Sequence, residues 1–279
     1  MTGGDSGIGH AVAIAFAKEG ADVAIAYLEE HSDAEETAEL VREEGRRCLL
    51  PPGDLASREQ CRTVVDETVR EFGGLDVLVN NVATQQELDS PEDLTGEQWM
   101  RTFDVNIHSY FRVTRAALPH LGEGAAIVNT ASVNGLRGNK SLIDYSATKG
   151  AVIAWTYAMA QALAGRGIRV NAVAPGPVWT PLIPATLSPG HVAKFGQQCR
   201  WGARRSRTSW HRPMCSSRRA GCRRTTPVRC SPRSAARPFR GDHRPTPPRA
   251  DSTTGKAVRV RFSEICQMRS ASSSLRRRE

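Results

Sequence analysis

The stretch Thr2-Gly3-Gly4-Asp5-Ser6-Gly7-Ile8-Gly9, running on into HAVAIAFAKEG at residues 10–20, decides how the rest of the chain is read. Gly3, Gly7 and Gly9 punctuate a turn, and an apolar run with helical spacing follows at once. Glycine lets a backbone turn sharply and lie close to a pyrophosphate, whose charge then sits among the free N–H groups of the helix start. The same pattern also suits a plain tight turn. What separates the two is context, because a dinucleotide cradle belongs to an alternation of strands and helices.

That alternation is present. Residues 21–27 (ADVAIAY), 47–51, 75–80 (LDVLVN), 125–131 (AAIVNTA) and 168–174 (IRVNAVA) are short, apolar and mostly rich in β-branched side chains, as buried parallel strands are. Helical spacing fills residues 7–19, 33–45, 57–72, 96–120 and 145–164. Gly20, Gly45, Gly73 and Gly165 stand where left-handed helix caps are expected. The rhythm predicts an α/β fold: a Rossmann-like, doubly wound parallel sheet in a single domain.

Composition divides the chain in two. The formal net charge is +9 over 279 residues, yet residues 1–198 carry 16 Lys+Arg against 25 Asp+Glu, and residues 199–279 carry 22 against 4. A uniformly basic protein is excluded. The first part has the apolar runs of a folded domain; the Arg/Ser/Pro-rich remainder has too few aliphatic clusters to build a core and reads as disordered. No apolar stretch reaches the ~18 residues that span a bilayer, and Met1 opens onto a glycine loop rather than a charged, then apolar leader. Of seven cysteines only Cys48 and Cys61 fall in the foldable part, which fits a reducing, cytoplasmic location and no disulfide framework.

A second constellation concerns chemistry. Tyr145 and Lys149, four residues apart, project from one helix face, and an ammonium beside a phenol favours the phenolate, giving a general acid and base. Such a pair is also common on solvated helix faces. Ser132, thirteen residues earlier at the end of an apolar strand, lies where open α/β sheets place their ligands, and its hydroxyl can bond the substrate oxygen on which charge develops.

Together these residues resemble the short-chain dehydrogenase/reductase family, whose Thr-Gly-x-x-x-Gly-x-Gly motif is matched at Thr2, Gly3, Gly7 and Gly9. The resemblance extends to about Gln198, and the Asp-Ser-Gly-Ile-Gly form is similar to a bacterial subgroup of alcohol and sugar dehydrogenases. It implies an NAD(P)-dependent oxidoreductase acting on a small alcohol or carbonyl compound, with Asn106, Ser132, Tyr145 and Lys149 as catalytic residues. Asn106 would help hold a water linking Lys149 to solvent. The cofactor would meet Gly3, Ser6, Gly7, Ile8 and Gly9, then Asp54 and Leu55 at the adenine, Asn81, Tyr145 and Lys149, and Pro175, Gly176, Val178 and Thr180 beside the nicotinamide and pyrophosphate. Asp54 also suits the N-cap of helix 57–72. Neither the acidic residue that selects NAD nor the basic one that selects NADP stands at the end of the second strand, so either coenzyme remains open. No metal is implied. The resemblance further implies a homotetramer built on helices 96–120 and 145–164.

Against the family, only Met1 precedes Thr2, so strand 1 is expected to be missing, and the last strand is expected to be lost in residues 199–279. Those residues read as a shifted frame. One base earlier, Trp201-Gly202 must encode Gly, Trp210-His211 must encode Ala and Met214-Cys215 must encode Val, each agreeing with the family pattern. The alternatives for this tail are a nucleic-acid-binding arm or a zinc site at Cys215, Cys222 and Cys230, whose spacing lacks close cysteine pairs. The competing reading of the whole chain is an inactive, truncated product that binds no cofactor.

Overall fold

A computed structural model of the chain describes residues 1–197. The elements run α1 (Gly7–Lys18), β1 (Val23–Ala24), α2 (His31–Glu43), β2 (Cys48–Leu49), α3 (Arg58–Phe72) and β3 (Val77–Asn80). They continue with α4 (Gly96–Phe103), α5 (Ser109–Ala117), β4 (Ala126–Thr130), α6 (Asn134–Arg137), α7 (Ile143–Leu163), β5 (Arg169–Val173), α8 (Leu182–Thr186) and α9 (Pro189–Lys194). This is a Rossmann-like α/β domain. All strand pairings among the described residues are parallel, as the alternation of strand and helix requires.

The sheet is drawn in two pieces, β2-β1 and β3-β4-β5. Thr2 joins them: it bridges Ala26 on one side, while its N–H donates to the Val79 carbonyl at 2.9 Å on the other. The Met1 carbonyl accepts from Ala26 and the Ala26 carbonyl accepts from Gly3. The strand expected to be missing is thus reduced to one bridging residue that still occupies the centre of the order β2-β1-Thr2-β3-β4-β5. The expected loss of the final strand, the tail's boundary at 199 and the shifted frame all concern residues outside the described range.

Side-chain alternation along the sheet sets the layers. Ile25 packs with Ala13, Ala17 and Val41 of α1 and α2. Its neighbour Ala26 faces the other way, into a core with Val65, Val113, Ile127 and Leu163 supplied by α3, α5, β4 and α7. The third helix shows how the sequence sets an element. Ser57 caps it by accepting from Gln60 N–H, Gly73 ends it at φ 81°, and Cys61, Val64, Val65 and Thr68 form its buried stripe. Their spacing is that of one helical face, and each buried valine stabilises by roughly 1.5–3 kcal/mol.

Two expectations are corrected. Residues 96–120 are not one helix, because a π-helical turn at Asp104–His108 separates α4 from α5, and a 3-10 turn at Leu118–His120 closes the segment. The left-handed residue after α7 is Gly167 at φ 69°, not Gly165, since a 3-10 turn at Ala164–Arg166 carries the helix on by one further turn. No helix among the described residues is long and apolar enough to cross a membrane.

Candidate active site

The glycine loop is shaped by close backbone approach. A Cβ on Gly9 would lie 1.9 Å from the Gly3 carbonyl oxygen, and one on Gly3 would lie 2.9 Å from the Val82 Cα. Gly3 and Gly7 also adopt φ of 61° and 55°, which glycine takes at little cost. The chain then enters α1 at Ser6, which makes no side-chain cap, and the first turn carries no acidic residue. The free N–H groups at this end therefore offer a place for an anion.

Behind the loop sits a polar brace. Thr2 Oγ1 accepts from the N–H groups of Asn81 and Val82 at 2.9 and 3.2 Å. Asn81 Nδ2 donates to the Gly3 carbonyl at 2.7 Å, and its Oδ1 accepts from Thr130 Oγ1 at 3.1 Å. Asn81 thus ties the glycine loop to the carboxyl ends of β3 and β4. Val82 and Ala83, which follow it, leave this tie in place.

A cleft of about 1520 Å³ opens at that edge of the sheet. Every candidate cofactor or catalytic residue lines it except Gly9, which lies beneath the loop, and Asn106, which sits one layer behind. Leu55 also reaches into the core. Asp54 borders the cleft with its carboxylate committed to Ala56 N–H at 2.9 Å and Arg101 Nη1 at 2.6 Å. Burial works to raise its pKa, but these bonds outweigh it and hold the carboxyl below its ordinary value. The helix cap is Ser57, not Asp54. Pro175, Gly176, Val178 and Thr180 form the opposite lip, and a Cβ on Gly7 would come within 3.0 Å of Thr180.

Tyr145 and Lys149 share the cleft face of α7, and Ser132, just past β4, stands beside the Tyr145 phenol. Lys149 is 1% exposed; its Nζ donates to the Thr130 carbonyl at 2.8 Å and to the Tyr110 hydroxyl at 3.4 Å. It lies 5.6 Å from the centre of the Tyr145 ring. The expected lowering of the phenol by this ammonium is corrected: burial pushes Tyr145 above its ordinary value, partly offset by Ser132, and lowers Lys149 to about 7. The low-dielectric wall disfavours the charged form of both groups.

Asn106, fully buried in the π-helical turn, spends its side chain on Thr84 and Thr148. Its Oδ1 accepts from Thr84 N–H at 2.7 Å, and its Nδ2 donates to the Thr84 carbonyl at 2.8 Å and to Thr148 Oγ1 at 3.1 Å. Both amide hydrogens are occupied, so the side chain anchors the loop after β3 rather than presenting a donor to the cleft. Extra-residue turns of this kind recur at functional sites.

Three contributors carry no mark in the sequence. Tyr110 is fully buried and shares its hydroxyl hydrogen between the carbonyls of Val82 and Thr130. Thr130 supplies both a carbonyl to Lys149 and a hydroxyl to Asn81. Asp144, also buried, accepts from Thr102 Oγ1, Gln98 Nε2 and the Tyr145 N–H, fixing the start of α7 against α4. Only the spacing of Tyr110 from Asn106, one turn on, could have drawn attention to it. Among the described residues no group of three or more metal-binding side chains is assembled.

Comparison with known proteins follows the same residues. The family model described as short chain dehydrogenase matches residues 1–188. General stress protein 39 of Bacillus subtilis is 56% identical over 202 residues, which cover 72% of this chain and 71% of that protein. The NADPH-dependent aldehyde reductase 1 of Arabidopsis thaliana, a chloroplastic protein, is 49% identical over 204 residues, covering 71% of each. Among solved structures, a short chain dehydrogenase from Burkholderia cenocepacia in complex with NADP superposes with a TM-score of 0.63. It is 38% identical, and the match covers 69% of this chain and 78% of that one.

Proposed function

The chain belongs to the short-chain dehydrogenase family, and from that premise we propose that it transfers a hydride between NAD(P) and the carbon of a secondary alcohol or carbonyl compound. The observation that carries this reading is the meeting, on one cleft, of the bare helix start at Ser6–Gly7 with Tyr145, Ser132 and Lys149. The glycine cradle fits a dinucleotide, since side chains at Gly3 and Gly9 would fill the space its backbone uses. A bound nicotinamide supplies the hydride chemistry.

The protein's part is proton transfer and placement. Tyr145 exchanges a proton with the substrate oxygen, Ser132 holds that oxygen by a hydrogen bond, and Lys149 sets the electrostatics from beneath. Burial raises the Tyr145 phenol above its ordinary value, which favours its acid form and suits carbonyl reduction. Alcohol oxidation needs the phenolate and gains as pH rises. Asn106 contributes by holding Thr84, and the residues around Gly3, Asp54, Asn81 and Thr180 hold the cofactor. Residues 1–198 serve as the cofactor-binding domain.

Self-association is proposed on the same footing. Met100 on α4, Phe111 on α5 and Tyr157 on α7 are exposed at 53%, 50% and 41%, apolar area that suits a homotetramer built on these helices. Light scattering on purified protein checks the mass.

Thermal unfolding with and without NADH and NADPH tests the main reading. A ligand that binds only the folded state raises the melting temperature. A folded sample that neither cofactor stabilises would sink the proposal in favour of an inactive product.

A further inference from the structure

The loop after β3 carries a polar side chain that the proposed chemistry does not use. Gln85 is 7% exposed, yet it lines the cleft. Its Nε2 lies 2.9 Å from Thr186 Oγ1 on α8. Thr186 spends its only hydroxyl hydrogen on the Leu182 carbonyl, so toward Gln85 it can only accept. That fixes the sense of the amide. Its NH2 group faces α8, and its carbonyl oxygen, on the other side of the same planar group, has no hydrogen-bond partner among the described residues.

Among the described residues, the sealed side-chain atoms lacking a partner are Arg46 Nε and Asn80 Oδ1, and this oxygen is not one of them. Gln85 lines the cleft, which puts this acceptor at the cleft wall. Its position is also set relative to the chemistry. Asn106 grips both the N–H and the carbonyl of the preceding residue, Thr84, and reaches Thr148, whose hydroxyl donates to the Tyr145 carbonyl at 2.8 Å. Further along the loop, Leu88 N–H donates to the Ser141 carbonyl at 2.9 Å. The loop is therefore fastened at two points to the segment that leads into and carries Tyr145. Nearby, the Glu87 carboxylate accepts from Ser188 N–H and meets His191, adding a second acceptor rather than a donor.

We propose that Gln85 selects the substrate, favouring carbonyl or alcohol compounds that carry a further hydroxyl group over apolar compounds of the same size. The inference rests on the dehydrogenase reading and deepens it. A substrate hydroxyl replaces the water that the Gln85 carbonyl loses when the cleft fills. An apolar substrate leaves that oxygen dry and unpaired, and a polar site rejects analogues that lack the matching group for this reason.

The test compares 2-butanone with 1-hydroxy-2-butanone as substrates for the full chain, with NADH and NADPH. The hydroxyketone is expected to have the higher kcat/KM, by about tenfold, the scale of one net hydrogen bond. Gln85→Leu should erase that advantage while leaving 2-butanone turnover unchanged or improved. Thr186→Val, which removes the oxygen that orients the amide, should erode the ratio part way and serves if Gln85→Leu does not fold. Equal turnover of the two ketones by the unaltered protein overturns the role of Gln85, as does an equal loss on both in Gln85→Leu. So does a cofactor-induced rise in melting temperature with neither ketone turned over. Absence of both turnover and any cofactor-induced rise overturns the dehydrogenase reading itself, and this inference with it.

Discussion

The two halves of the sheet are held by different means. β4 and β5 pair over five residues and β3 and β4 over four, a continuous backbone ladder beneath Ser132 and Tyr145. β1 and β2 pair over two residues, and among the described residues the join to β3 runs through Thr2. Where the ladder is short, side chains take over: the Thr2 hydroxyl and the Asn81 amide gather the glycine loop, β3 and β4 into one corner. The proton-transfer side thus rests on repeated, redundant bonds, and the pyrophosphate side on a few specific ones. Damage should therefore appear as lost chemistry in one half and lost stability in the other.

The sharpest separation comes from Tyr145→Phe. It keeps the ring and removes the transferable proton, so turnover should fall by about 10²–10⁴-fold while the urea midpoint stays close to that of the parent. A matching loss of stability would mean that the phenol is a packing group. Gly9→Val attacks the other half. Its Cβ must enter the space of the Gly3 carbonyl, so unfolding in urea should show a loss of roughly 3 kcal/mol or more, with cofactor protection gone.

Thr2→Val is milder, because the shape is kept and only an acceptor is lost. Two N–H groups, those of Asn81 and Val82, are then unpaired, and a cost of about 1–3 kcal/mol is expected together with weaker cofactor binding. If instead the variant is as stable as the parent, the corner is held by the ladder after all.

A smaller effect is expected from pH. Lys149 falls to about 7 in the folded protein through burial, from the ordinary lysine value of 10.5. Above pH 7 the unfolded chain binds more protons at this site than the folded one, so Lys149 makes stability rise with pH. The slope has an upper limit of about 1.4 kcal/mol per unit. Urea unfolding of Lys149→Met between about pH 7 and about pH 9 should lack that part of the rise. Smallest of all is Arg101→Ala, which removes a half-exposed ion pair with Asp54 and should cost about 0–1 kcal/mol.

The sequence disclosed best what depends on local pattern. The glycine spacing and the Tyr145–Lys149 interval each follow from one turn of backbone, and the structure places them on the same cleft. Helix limits hold within two residues for α1, α2, α3 and α7, and in the first three the apolar periodicity is reinforced by the left-handed glycines Gly20, Gly45 and Gly73. Strand limits were less legible: residues 21–27 supply a continuous pair at Val23–Ala24 only, with single bridges at Ala26 and Tyr27. Pairing depends on the partner as much as on the run itself. Tyr110, Asp144 and Gln85 left no trace in the sequence, since each acquires its role from contacts with residues 20–101 positions away. Asn106 was marked by resemblance, but what its amide grips is a property of the folded loop.

The π-helical turn at Asp104–His108 makes that stretch a phase counter. In an α-helix each residue advances the face by about 100°, so the one extra residue accommodated there sets the rotation of everything downstream. Deleting a single residue from the turn would swing Tyr110, Val113 and Ala117, all buried, out of their cores together. The length of this segment is therefore as informative as its composition, and substitutions within it should be tolerated far better than a one-residue gap.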